Sequence, residues 1–136
     1  MKILQLIAIL LFVNYSTAQT YIYDGHGNLI GGSHIQLKPH ISYILEDSIT
    51  GTRFILDSNH INIYALSKIG DTLWKTDPWK DNKLDTYRFT RPVIVYYKFA
   101  NSVRTKNEEV IWIIYINTQF GIIDKKTGKF RFMGQD

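Results

Sequence analysis

Cysteine is absent from the 136-residue chain. That excludes a disulfide framework, a thiolate nucleophile and any cysteine-based metal site. It also excludes an exported protein held by a lipid anchor, because the anchor needs a cysteine at the cleavage point. Proline occurs only at Pro39, Pro78 and Pro92, and with nine glycines the chain has neither a collagen-like nor a low-complexity composition. Neither sign of charge dominates: 16 basic residues face 12 acidic ones. No basic stripe calls for a nucleic-acid partner. Glutamate is limited to Glu46, Glu108 and Glu109, so paired carboxylates flanking a cleft, as a glycosidase needs, are not indicated.

The chain has one long apolar run, Ile3 to Val13, interrupted only by Gln5 and preceded by Met1-Lys2. As a helix its eleven residues rise about 16 Å, too little for a bilayer core of about 30 Å. Ser16-Thr17-Ala18 then supplies small residues at a cleavage point. This is the layout of a secretory signal peptide, expected over residues 1–18. The domain is expected over 19–136, where Lys2 is no longer counted and the net charge is +3. With no cysteine staples, the expectation is a bacterial protein, periplasmic or extracellular, with no transmembrane segment in the mature chain.

Beyond residue 20 the chain reads as strands. No window holds apolar residues at i, i+3, i+4 and i+7 for long enough to make a helix. Short β-branched and aromatic runs bounded by Gly, Asn and Asp recur instead. They are Tyr21–Tyr23, Ile35–Leu37, Ile41–Leu45, Arg53–Leu56, Ile61–Leu66, Thr72–Lys75, Tyr87–Phe89, Val93–Phe99, Val110–Ile116, Gly121–Asp124 and Phe130–Met133. The run VIWIIYI is apolar on both faces and predicts a central strand covered on both sides. Asp77-Pro78 offers an N-cap followed by proline at the first helical position, which predicts at most two helical turns before Tyr87. The fold class is all-β: one small domain of antiparallel hairpins, a meander forming a barrel-like or two-sheet sandwich. Its expected core is Phe54, Leu56, Ile61, Ile63, Trp74, Val93, Val95, Tyr97, Trp112, Ile114, Ile116, Ile122 and Phe132.

The turns share a grammar. DSITGTRF and DKKTGKFRF both run Asp-x-x-Thr-Gly, and YALSKIGDTLW is a shorter version. Asp or Ser can bind backbone N–H groups two residues on, and Gly supplies positive φ, so these strings close hairpins. Aligning Gly70 with Gly128 also pairs Phe54 with Trp112, Leu56 with Ile114, Asn59 with Asn117 and Tyr64 with Ile122, an internal repeat of about 58 residues.

At these residues the chain resembles known repeat families. YALSKIGDTLW resembles the blade signature of quinoprotein-type (PQQ-like) β-propellers: Ala65, Gly70 and Trp74 match, while Ser67 replaces Asp and Ile69 replaces Thr. FGIIDKKTGKF resembles the WG repeat, with Phe120-Gly121 in place of Trp-Gly and Asp124 in its usual position. YDGHGNL is similar to turns of YD-type repeats. The resemblance implies β-meander hairpins of this style. It carries over no cofactor site, and a closed propeller needs far more chain.

Chemistry-bearing constellations are few. His26, His34, His40 and His60 lack metal-ligand spacing, DGHGNL departs from a calcium loop at Leu29, and there is no nucleophile elbow or phosphate loop. No cofactor or metal is expected. The exception is residues 77–92, DPWKDNKLDTYRFTRP, which place Trp79, Lys80, Asp81, Tyr87, Arg88 and Arg91 on a long loop. Loops on a rigid scaffold carry function, and a Trp among charges offers a face to sugars or cations. In the alternative reading Trp79 caps the core, with Arg and Asp paired around it. The expected function is a non-catalytic binding module for a glycan, peptide or envelope partner. An assembly subunit pairing through an edge strand is the alternative, and an enzyme ranks below both.

Overall fold

A computed structural model describes residues 37–102 and 106–136, together with two short strands, β1 (Ile22–Tyr23) and β2 (Leu29–Gly31). Two compact units divide at Ser33. The first holds the antiparallel β1–β2 pair. The leader expected over 1–18, His26, His34, the 24–28 turn and most of the Ile35–Leu37 strand lie outside the described residues. Among those described, no helix is long and apolar enough to cross a membrane.

The second unit is all-β apart from one helical turn. Strands β3 (Tyr43–Glu46), β4 (Arg53–Leu56), β5 (Ile63–Leu66) and β6 (Thr72–Thr76) form a four-stranded antiparallel meander in chain order. Strands β7 (Ile94–Asn101), β8 (Glu109–Tyr115), β9 (Phe120–Ile123) and β10 (Phe130–Gly134) form a second. Neither sheet closes into a barrel. The 58-residue offset carries β6 onto β10 residue for residue and places β4 within β8.

The hairpin grammar works as its residue types require. Asp47 Oδ1 accepts from the N–H groups of Ile49 and Thr50 at 2.9 and 3.1 Å. Asp124 Oδ1 does the same for Lys126 and Thr127 at 2.9 and 2.8 Å. The β4–β5 and β8–β9 turns use left-handed residues 58 apart, His60 (φ 57°) and Thr118 (φ 71°). His60 is buried, and its Nε2 lies 2.8 Å from Ile41 O, which ties this turn to the lead-in of β3.

The sheets share one apolar layer. Phe54, Leu56, Ile63 and Ala65 from the first meet Ile94, Tyr97, Ile111, Ile113, Tyr115 and Ile123 from the second. Fully burying each of the larger aliphatic side chains contributes about 1.5–3 kcal/mol. Strand β8 lies between β7 and β9, and Val110 through Tyr115 are all buried, so both of its faces are covered. Trp112, Ile114 and Ile122 are buried on the opposite face from the shared layer, where Trp112 stacks on Phe120 at 5.8 Å.

Three expectations need correction. Ile116 and Phe132 are exposed, at 37% and 44%. Strand β8 ends at Tyr115, so Ile116 belongs to the turn. Phe132 stands on edge strand β10, next to a bulge that shifts the register between Phe132 and Gly134. Tyr87–Phe89 is not a strand: Arg88 has φ 58°, and Phe89 N–H donates to Tyr87 O at 2.6 Å in a tight three-residue turn.

Gly128 joins the two sheets. A Cβ there would lie 2.6 Å from the Trp74 ring, and the residue has φ 71°. Without a side chain the β9–β10 hairpin seats on Trp74, whose Nε1–H donates to Lys125 O at 2.9 Å. Gly51, with φ 72°, would meet only the flexible Lys68 side chain, at 3.2 Å. Gly128→Ala should therefore cost about 2–4 kcal/mol, from left-handed strain plus overpacking, and Gly51→Ala only about 1–2 kcal/mol. Urea denaturation of both variants checks the order; equal costs would contradict the Trp74 contact.

Candidate functional site

The loop 77–92 closes one end of the sandwich. Its helix α1 (Pro78–Asp81) is a single turn, with Asp77 Oδ1 accepting from Lys80 N–H at 3.1 Å and proline in the first turn. Its C-terminus follows a Schellman pattern: Leu84 N–H donates to Trp79 O and Lys83 N–H to Lys80 O, both at 3.1 Å. The pattern puts Lys83 at the left-handed position, φ 51°, where glycine is usual. Leu84 packs onto the core behind it.

The structure separates the six residues singled out on this loop. Trp79 packs against the core. The Arg91 guanidinium lies over its ring at 5.1 Å and pairs with Asp77. Trp79 Nε1 and Arg91 Nη1 are buried without hydrogen-bond partners. Asp81 is exposed and reaches back to the start of its helix, accepting from Thr76 Oγ1 at 3.1 Å and Asp77 N–H at 2.9 Å. Lys80 is exposed. Tyr87 and Arg88 stand together elsewhere, with Arg88 4.8 Å over the Tyr87 ring and the Tyr87 hydroxyl donating to Asp136 O at 3.0 Å. Burial pushes the Tyr115 hydroxyl beneath this loop well above the usual phenol range; Asp77 adds to the shift and Arg91 opposes it.

The turn at Asn117–Gln119 anchors the loop from below. Asn117 Nδ2 donates to Tyr87 O at 3.0 Å, and Gln119 Nε2 donates to Asp85 O at 3.0 Å. Both side chains are buried, and Asn117 also donates to Gln119 Oε1 at 2.8 Å. No local cue in the sequence points to this anchor, because an Asn and a Gln in a turn read as solvent-facing.

A roomier concavity lies at the other end, where the β3–β4 and β9–β10 hairpins converge. A cleft of about 490 Å³ opens there between Asp47, Phe54, Leu73, Glu109, Asp124 and Lys125. Lys125 Nζ donates to Asp47 Oδ2 and to Glu109 Oε1, both at 2.6 Å. It also lies 5.1 Å over the Phe99 ring. Phe54 packs edge-on against Phe99 and tilted against Trp74, each at 5.8 Å, which gives the cleft a rigid aromatic floor. Leu73 is 55% exposed on its wall, at the irregularity in the β5–β6 pairing.

The arrangement holds an alkylammonium between two carboxylates over an aromatic face. The hydrogen bond from Lys125, aided by the Thr50 N–H, lowers the Asp47 carboxyl from 3.8 to about 2. Burial works against the Lys125 ammonium, but its bonds to Asp47 and Glu109 outweigh that and leave its pKa raised. Asp47 is therefore a fixed anion at neutral pH and no proton donor. Among the described residues no three of His, Asp and Glu gather closely enough to hold a metal ion. Comparison with protein-family models, curated proteins and solved structures gives no match.

Because the folded-state value of Asp47 lies below its unfolded value, its contribution to stability is fully present above pH 3.8. That contribution is lost as the pH falls towards about 2. Asp47→Asn should flatten this part of the stability–pH curve and lower stability at neutral pH. Denaturation midpoints of both proteins from neutral pH down to about 2 test this, and parallel curves would contradict the ion pair.

Proposed function

We propose that this chain is a non-catalytic binding module whose hairpin-end cleft takes the basic side chain of a peptide partner. One observation carries the reading: the cleft already grips an alkylammonium, that of Lys125, with two carboxylates and an aromatic ring. The Glu109 side chain is 44% exposed, so it can serve a second cation as well as Lys125. Phe54 and exposed Leu73 give an aliphatic stem somewhere to lie. The volume suits a small-molecule or side-chain ligand. The leader-like residues 1–18 support export, and the partner is then a periplasmic or extracellular peptide or envelope protein. The blade-like strings at 64–74 and 120–130 support reading the two meanders as blade-type units without a cofactor.

A second reading, an assembly subunit, draws on the outer face of the first sheet. Ile44, Ile55 and Tyr64 stand in register there, with Ile44 58% exposed. Oligomer formation lost in Ile44→Lys would favour it.

The primary test is a titration with trilysine, followed through Trp emission, with triglutamate as control. Saturable binding that weakens with salt is expected for trilysine alone. Lys125→Met removes the internal competitor and should tighten binding about tenfold, whereas Glu109→Gln should weaken it by about as much. Absence of binding, or indifference to both substitutions, would contradict the proposal.

A further inference from the structure

We infer that a second cleft, between the Schellman turn of α1 and the bulged end of β10, is a saccharide-binding subsite. It encloses about 440 Å³ and is lined by Lys83, Asp85, Gln119, Phe132 and Gln135. It lies at the opposite end of β9 from the Lys125 cleft, shares no lining residue with it, and does not depend on that reading.

Phe132 is the first ground. Its register partner is Gly121, opposite the buried Ile113, so strand alternation assigns Phe132 to the inner face with Phe130. Phe130 does pack onto the core. Phe132 instead is 44% exposed and forms a wall of the cleft, beside a bulge closed by Gly134 at φ 155°. The register shift begins only after Phe132, which keeps its pairing with Gly121 and borders the cleft from the inner face of an edge strand. The result is an exposed aromatic face within a concavity, suited to the C–H face of a pyranose ring.

Polar groups meet that aromatic. Asp85, Lys83 and Gln135 offer a carboxylate, an ammonium and a planar amide to a rim of hydroxyls. One cation and one anion leave no net charge, which suits a neutral sugar and does not suit a phosphate. The supporting layer is fixed from beneath: Gln119, 1% exposed, donates to Asp85 O at 3.0 Å and to Gln135 Oε1 at 3.4 Å. A rigid support under a polar rim is what a preorganised site requires.

Lys83 is the second ground. It stands at the left-handed position of the Schellman turn, where glycine would be unstrained. Lys83 also lines the cleft, so its ammonium is available to a ligand there, and strained residues gather at ligand sites. Fold and function then make opposite demands at one residue.

The test uses isotope-labelled protein titrated with chitotriose, cellotriose and maltotriose, with amide shifts of residues 83–85 and 132–135 as the readout. Saturable binding of at least one trisaccharide is expected, with trilysine not competing. Lys83→Gly should raise the thermal midpoint and weaken that sugar at least tenfold. Phe132→Ser should abolish binding. No localised shift with any of the three sugars would overturn the inference, and so would a stabilised Lys83→Gly that keeps wild-type affinity. Should Phe132→Ser fail to fold, Lys83→Gly decides alone.

Discussion

Everything else in this molecule depends on the apolar layer that its two meanders share. The first sheet, of four- and five-residue strands, needs a second layer against which to bury its inner apolar face. Here the inner residues of β4 and β5 close on those of β7, β8 and β9. The backbone adds cross-links at the margins: Ile94 N–H donates to His60 O at 2.9 Å, and Leu37 N–H to Val95 O at 3.1 Å. At the hairpin end the lock is non-covalent, a glycine seated on an indole with a lysine reaching across to the first sheet.

Once the layer is closed, its two ends differ in character. At the hairpin end short Asx turns hold their carboxylates near the rim, so the cleft is acidic around an aromatic floor. At the other end the chain must cross from β6 to β7, and the long loop that does so is pinned by the buried Asn117 and Gln119. The first end grips a cation; the second presents an aromatic ring beside balanced polar groups. Both clefts form where turns meet strand ends: Phe54, Leu73 and Glu109 lie on strands at the first, and Phe132 does at the second.

Much of the fold was legible in the sequence. Arg53–Leu56 forms a strand with the expected bounds, and the Asp-x-x-Thr-Gly strings close hairpins through the bonds their residue types offer. Two features were not legible. Strand β8 is apolar on both faces, so hydrophobicity could not phase it; the shared layer takes Ile111, Ile113 and Tyr115, while Trp112 and Ile114 face the other way. The bulge in β7 between Ile94 and Tyr96 also brings Ile94 and Tyr97 to one side, which no strict alternation predicts. The candidate site was legible only as a loop. Trp79 and Arg91 stack as the core-capping alternative describes, whereas the clamp joins Lys125 of one hairpin to Asp47 of a second and to Glu109 and Phe99 of a third, and such long-range contacts leave no local mark.

The most direct test of this account is whether the two sheets meet face to face through that layer in solution. Side-chain nuclear Overhauser effects on the labelled protein would show it. The account predicts cross-peaks between the Phe54 and Phe99 rings and between the Trp74 indole and the Gly128 α-protons. Strand pairings within each sheet without either cross-peak would mean that the meanders do not share a core, and both clefts would go with it.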